Sequence, residues 1–79
     1  MENLDMTEAF EMEMAALEKA VKEGKKVRLF FCNGYQAYVI VESFDMELIV
    51  CRKVDYKTGE VDRQHQWLVY RNNISTIEV

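Results

Sequence analysis

The sequence predicts a small, mainly β domain in which one N-terminal helix is followed by five antiparallel strands. Residues 5–23 carry a helical repeat of apolar side chains. After Gly24 no helical period recurs, and short runs rich in β-branched and aromatic residues alternate with turn residues. This order is typical of an α+β domain or a small barrel. We expect a strongly bent, open five-stranded barrel over residues 26–79, within a single domain spanning 1–79.

The helix is predicted from apolar residues that recur on one face. At spacings of i, i+4, i+7 and i+11, this face comprises Phe10, Met14, Leu17 and Val21. Asp5, with Glu8 three residues later, resembles an N-terminal capping pair, and Gly24 supplies the C-terminal stop. We expect the apolar face to pack into the core.

The strands are predicted from β-branched and aromatic runs bounded by turn residues. They cover residues 25–32, 35–44, 47–54, 61–70 and 74–79. Asn33-Gly34 predicts a hairpin between the first two strands, and Asp55 with Gly59 predicts a turn after the third. The long second strand contains no glycine, so its bend must fall on ordinary residues. Residues 71–73 suit only a tight turn or one 3₁₀ turn.

The last predicted strand is an open sheet edge with no proline and one charge to protect it. A domain of this size is marginally stable alone, and disulfides, a metal or oligomerisation usually stabilise it. One His and two Cys without ligand-like spacing argue against a metal, and Cys32 and Cys51 are expected to be buried free thiols. We therefore expect the last strand to pair with the fourth strand of another copy, a head-to-tail contact that can close a ring.

The charge distribution excludes a generic nucleic-acid binder. The net charge is −4, and residues 1–24 hold seven acids against two lysines. Residues 25–79 are nearly neutral, so any nucleic-acid binding must come from local sites. No apolar run approaches the roughly 18 residues of a membrane span, so we expect a cytoplasmic protein without a membrane partner.

The sequence contains no recognisable set of catalytic residues. It has no nucleophile–base pair, carboxylate dyad or phosphate-binding loop. We expect no enzyme activity, no cofactor and no metal. His65 is predicted to be a surface residue of the fourth strand, and Asp55–Gln64 an extended, solvated hairpin.

Three segments together resemble one family. They are Asn-Gly-Tyr at 33–35, Val-Glu-Ser-Phe-Asp at 41–45, and Val-Tyr-Arg-Asn-Asn-Ile-Ser-Thr at 69–76. In this order and spacing they resemble Hfq, the bacterial Sm-like (LSm) RNA chaperone family, over residues 8–79, with this chain a divergent member. The resemblance implies an Sm-like fold, a homohexameric ring built through strands four and five, and post-transcriptional regulation by binding single-stranded RNA.

The resemblance also implies an adenine-binding face around the hairpin. Its residues here are Phe30, Asn33, Gly34, Tyr35 and Gln36. We expect Phe30 and Tyr35 to sandwich a base while Asn33 and Gln36 bond its edge. Because side chains alternate along a strand, only one of Phe30 and Phe31 can face inward.

A second implied RNA site, on the pore side of the ring, is weakened by substitutions. Tyr70 matches this site, Arg71 replaces a lysine of the family with its charge kept, and Asn72 stands where the family has a histidine. Met46 and Glu47 follow Asp45 where the family has a stacking aromatic, so a platform of about 1–3 kcal/mol per base is lost. The acidic helix also departs from the basic rim with which the family anneals RNA pairs.

Two other functions remain open at this point. A divergent Sm-like ring could act as a protein-interaction or structural module with little RNA binding, as the acidic helix suggests. A monomeric SH3-like barrel that binds peptides is the third hypothesis, and the mass of the native particle separates it from the ring hypotheses.

Overall fold

The computed structural model describes residues 6–79, with side chains from Glu11 onward. The elements in chain order are α1 (Met6–Glu23), β1 (Lys26–Phe31), β2 (Gln36–Phe44), β3 (Leu48–Val54), β4 (Trp67–Tyr70), a 3₁₀ turn (Arg71–Asn73) and β5 (Ile74–Glu78). The predicted helix and the predicted 3₁₀ turn are thus confirmed. The expected Asp5–Glu8 cap and the side chain of Phe10 lie outside the described residues.

The five strands form one antiparallel sheet that does not close. Its order is β4-β3-β2-β1-β5, so β4 and β5 are the two edge strands. The pairing of β2 with β3 slips by one residue between Val41 and Ser43, which leaves Glu42 as a bulge. A bulge bends its strand and increases the local twist. The predicted open barrel is confirmed, and the irregularity in β2 falls on a non-glycine residue, as expected.

The core lies between α1 and one face of the sheet. Its buried residues are Leu17, Ala20, Val27, Leu29, Val39, Val41, Ile49, Cys51 and Val69. Leu17 and Ala20 belong to α1, and the partly buried Val21 packs against the same cluster, which confirms the helical apolar face over the described residues. The Cys51 thiol donates to the carbonyl of Trp67 at 3.5 Å. Burial raises the pKa of Cys51 to about 11, so the thiol is protonated at neutral pH.

The predicted fourth strand is wrong over its first half. Val61 makes only an isolated bridge to Val54, and β4 begins at Trp67. Between them, Asp62 Oδ1 accepts hydrogen bonds from the backbone N–H groups of Gln64 (3.0 Å) and His65 (3.2 Å). This Asx turn competes with the sheet ladder and bends the chain away from β3. His65 is therefore an exposed residue of a bend and does not belong to the strand that the sequence predicts.

One of the two cysteines is not where the sequence predicted. Both are free thiols, as expected, but only Cys51 is buried and Cys32 is exposed. Cys32 follows the last residue of β1, and its backbone N–H donates to the carbonyl of Asn73 at 2.8 Å. β1 therefore ends one residue earlier than the strand that the sequence predicts.

We expect Leu17→Ala to lower the free energy of unfolding by about 2–5 kcal/mol, because it opens a cavity under a fully buried side chain. Met12→Ala is the matched control, since Met12 lies on the same helix and is 62% exposed. Urea denaturation followed by circular dichroism measures both. Equal losses for the two variants would contradict the packing of α1 on the sheet.

Candidate nucleic-acid interface

The β1–β2 hairpin is held by its own turn. Asn33 Oδ1 accepts the backbone N–H of Tyr35 at 3.0 Å, and Gly34 takes a φ of +90° that other residues rarely adopt. Gly34 N–H donates to the carbonyl of Phe31 (3.0 Å), and Phe31 N–H to that of Tyr35 (2.8 Å). The amide oxygen of Asn33 is thereby engaged in the turn, which fixes where Tyr35 and Gln36 are displayed.

Four side chains form a row on the outer surface of the hairpin, the surface opposite the core. Phe30 pairs with Gln36, and Arg28 pairs with Tyr38. Strand alternation places all four on the surface that the buried Val27 and Leu29 do not occupy. We call Arg28, Phe30, Gln36 and Tyr38 the outer row.

Arg28 is the centre of the outer row. Its guanidinium carbon lies 4.8 Å from the ring centre of Tyr38 and 5.6 Å from that of Phe30. It also donates a hydrogen bond to the Tyr38 hydroxyl and lies 4.0 Å from a Glu78 carboxylate oxygen. The hydrogen bond to Tyr38, with the charge of Glu78, raises the pKa of Arg28 above its usual value. A planar cation therefore lies against two aromatic rings, a surface suited to stacking and to negative charge.

A second aromatic cluster lies on the other side of the hairpin. Phe31 contacts Tyr35 and Trp67, with ring centres 5.6 and 5.5 Å apart. The Lys53 ammonium lies 4.3 Å from the ring centre of Trp67 and 6.0 Å from that of Tyr35. Phe31 packs against the core, and Tyr35 remains 51% exposed. This cluster presents the exposed ring of Tyr35 beside a cation.

Phe30 and Tyr35, which we expect to sandwich a base, have different neighbours within one chain. Phe30 belongs to the outer row, whereas Tyr35 packs on Phe31. Since neighbouring residues of a strand point to opposite faces, Phe30 and Phe31 lie on opposite faces of β1. The prediction that only one of Phe30 and Phe31 faces inward is confirmed, and the inward residue is Phe31.

The Arg71–Asn73 turn contacts α1, the corner before β3 and the end of β1. The Arg71 guanidinium pairs with Glu13 of α1, and its backbone N–H donates to the carbonyl of Glu47 at 2.9 Å. The Cys32 thiol lies 3.8 Å from the carbonyl oxygen of Asn72. Tyr70 and Asn72 are exposed, whereas the Arg71 side chain is only 11% exposed. The ion pair with Glu13 holds this guanidinium against the helix.

The corner before β3 is a stable Asx turn. Asp45 Oδ1 accepts the N–H groups of Glu47 and Leu48, each at 2.8 Å. These bonds hold the pKa of Asp45 below its usual value. Met46 is 71% exposed at the tip, and Glu47 is exposed beside it, so this corner presents no aromatic ring.

The open edge of β4 presents backbone donors to a further strand. Arg71 N–H donates to the Glu47 carbonyl, and this bond shows that Leu48 and Tyr70 lie opposite each other without exchanging backbone hydrogen bonds. Because such pairs alternate with hydrogen-bonded pairs along an antiparallel ladder, Val50 and Leu68 exchange none either. The N–H and C=O groups of Leu68 and Tyr70 therefore point away from β3. Their side chains are also exposed, at 56% and 61%.

Comparison with solved structures finds a 1.55 Å crystal structure of the pleiotropic translational regulator Hfq. The two structures match with a TM-score of 0.69 and 26% sequence identity, over 86% of this chain and 98% of that chain. The chain has the Sm fold of Hfq. No protein-family model and no curated protein matches the sequence. The Hfq-like fold confirms the resemblance carried by the segments at 33–35, 41–45 and 69–76.

Several residues of the Hfq-like surface were not found from the sequence. Arg28 and Tyr38 stand two residues from Phe30 and Gln36, so strand alternation could have placed all four together. Lys53 and Trp67 meet only because β3 pairs with β4, which no local pattern indicates. Among the described residues no group of three metal-ligating side chains is assembled, and no helix is long and apolar enough to cross a membrane.

Proposed function

We propose that this protein is a ring-forming, Hfq-like RNA-binding regulator that binds adenine-rich single-stranded RNA on its hairpin face. The observation that carries the proposal is the Sm fold of Hfq together with the aromatic and cationic side chains on both sides of the hairpin turn. We propose binding and not catalysis as its activity, and the cytoplasm as its location.

The ring is supported by the two open edges of the sheet. β4 and β5 lie at opposite ends of the strand order, and the outward N–H and C=O groups of Leu68 and Tyr70 can pair with a further strand. β5 of a neighbouring copy can supply it, and the contact is head-to-tail. We propose six copies, as the resemblance implies, with one domain spanning residues 1–79.

The RNA site is supported by the chemistry of the hairpin residues. Phe30 and Tyr35 offer aromatic surface to bases, Gln36 offers an amide to a base edge, and Asn33 with Gly34 shapes the turn between them. Because Phe30 lies against Arg28 whereas Tyr35 packs on Phe31, each ring offers a separate aromatic surface to the RNA. One strand that threads several identical pockets gains affinity through effective concentration.

Binding on the pore side is expected to be weaker than binding on the hairpin face. Tyr70 and Asn72 are exposed, but the Arg71 guanidinium is held by Glu13, and Glu47 adds a negative charge at the nearby corner. We therefore propose that uridine-rich RNA binds less tightly than adenine-rich RNA.

The test is a comparison of oligo-A and oligo-U RNA by fluorescence anisotropy at one fixed, low salt concentration, because phosphate contacts make affinity salt-dependent. We expect micromolar or tighter binding of oligo-A and at least tenfold weaker binding of oligo-U. No binding of oligo-A at micromolar protein would overturn the RNA-binding proposal.

A ring that serves as a protein-interaction or structural module is the second candidate. The pairing of Arg71 with Glu13 of the acidic helix favours it, because that pairing occupies a cation otherwise suited to RNA phosphate. Protein partners recovered after nuclease treatment would support it, and recovery that depends entirely on RNA would count against it.

A further inference from the structure

A groove of about 690 Å³ lies between the start of β2 and the turn that follows β3. Tyr38 pairs with Val54, so residues 36–38 lie beside the chain at 53–57. The volume falls within the range of about 300–1,000 Å³ that is usual for small-molecule sites. Tyr35 and Gln36 line the groove too, which makes it continuous with the hairpin face.

The groove has a positive lining on an acidic chain. Arg28, Lys53 and Lys57 contribute cations, and Asp55 is the acid among the lining residues. Asp55 Oδ1 already accepts the backbone N–H groups of Lys57 (2.8 Å) and Thr58 (3.3 Å), which offsets part of its charge. The net charge of the protein is −4, so this excess of cations is a local feature suited to an anionic ligand.

The groove also presents an aromatic ring on a hydrogen-bonded turn. Tyr56 is 74% exposed. Its turn is closed by hydrogen bonds from Asp55 N–H to the carbonyl of Glu60 (2.9 Å) and from Gly59 N–H to that of Asp55 (2.7 Å). Gly59, at a φ of +77°, permits this closure. An exposed tyrosine next to a lysine supplies a stacking surface and a phosphate contact at adjacent positions.

We propose that this groove binds a nucleotide of the same single-stranded RNA that the hairpin face holds, with its base stacked on Tyr56 and its phosphate at Lys57. The inference rests on the proposed RNA-binding function and extends it to the turn between β3 and Val61. Continuity through Tyr35 and Gln36 lets one RNA strand run from the hairpin face into the groove.

The test is the affinity of the full chain for a fluorescent oligo-A measured over a series of salt concentrations. Tyr56→Ala is expected to weaken binding roughly 5- to 150-fold, the range for removal of one base–aromatic stack. Tyr56→Phe keeps the ring and should bind like the original protein.

The salt series tests the phosphate contact. Lys57→Gln should lower the slope of log K against log salt by about 0.7 for each phosphate that the variant no longer neutralises. Arg63→Gln, an exposed cation outside the groove, should leave the slope unchanged.

The outcomes separate this inference from the proposed function. If the original protein binds oligo-A and the Tyr56→Ala and Lys57→Gln variants bind it equally well, the groove is not an RNA site and the hairpin proposal stands. If the original protein binds no oligo-A, both proposals fail. Binding of a glutamate-rich peptide that these two variants lose, with oligo-A binding unchanged, would also overturn the inference.

Discussion

Leu68→Pro is expected to convert the native assembly into single folded chains. The N–H of Leu68 points away from β3, so proline removes no hydrogen bond within the chain. It does remove a donor from the outer edge of β4 and places ring carbons where a partner strand must approach to about 4.8 Å. The Leu68 side chain is 56% exposed, so its removal costs little packing within the chain.

Leu68→Thr is the matched control for this substitution. Threonine keeps the backbone donor and suits a strand, so this variant should remain assembled. Light scattering gives the particle mass, and circular dichroism shows whether the strands persist. A Leu68→Pro protein that keeps the assembled mass would contradict pairing through β4. A Leu68→Pro protein that unfolds would contradict the outward direction of the Leu68 N–H.

Tyr35→Ala is expected to weaken oligo-A binding strongly while leaving the assembly intact. Removal of one base–aromatic stack corresponds to about 1–3 kcal/mol, and an RNA that spans several copies loses that contribution at each of them. Tyr35 is 51% exposed, and its ring contacts Phe31 at 5.6 Å and Lys53 at 6.0 Å, so the cost to folding comes mainly from one aromatic pair of about 0.5–1.5 kcal/mol and one weak cation–π contact.

Two further variants show whether the ring of Tyr35 acts on RNA. Tyr35→Phe retains the aromatic face and should bind oligo-A nearly as well as the original protein. Tyr70→Ala removes an exposed tyrosine at the other candidate site, and oligo-A affinity should be unaffected while assembly persists. Equal loss of assembly and RNA binding in Tyr35→Ala would mean that Tyr35 supports the interface between copies instead.

The elements of the fold were predictable because their signals are local. The apolar spacing around Leu17 marks a helix, and Asn33-Gly34 marks a hairpin whose glycine takes the required positive φ. The start of β4 was not predictable, because the side chain of Asp62 competes with the sheet for backbone donors. Of residues 61–66 only Val61 is a strong strand former, so the predicted strand carried the Trp67–Tyr70 run too far towards the N-terminus.

The candidate site was only half predictable. Phe30, Tyr35 and Gln36 followed from the resemblance, but the packing of Tyr35 on Phe31 depends on where the strand ends and the turn begins. The ion pair of Arg71 with Glu13 joins residues far apart in sequence, and no local pattern indicates it. The groove beside Tyr56 likewise depends on the pairing of Tyr38 with Val54.

We propose that the open edges of β4 and β5 join copies of this chain into a ring that holds RNA. Native mass spectrometry at low salt, with and without an oligo-A long enough to span several copies, tests it most directly. We expect a particle of six chains that gains the mass of RNA when the oligonucleotide is added. A particle with the mass of one chain, unchanged by the RNA, would contradict it.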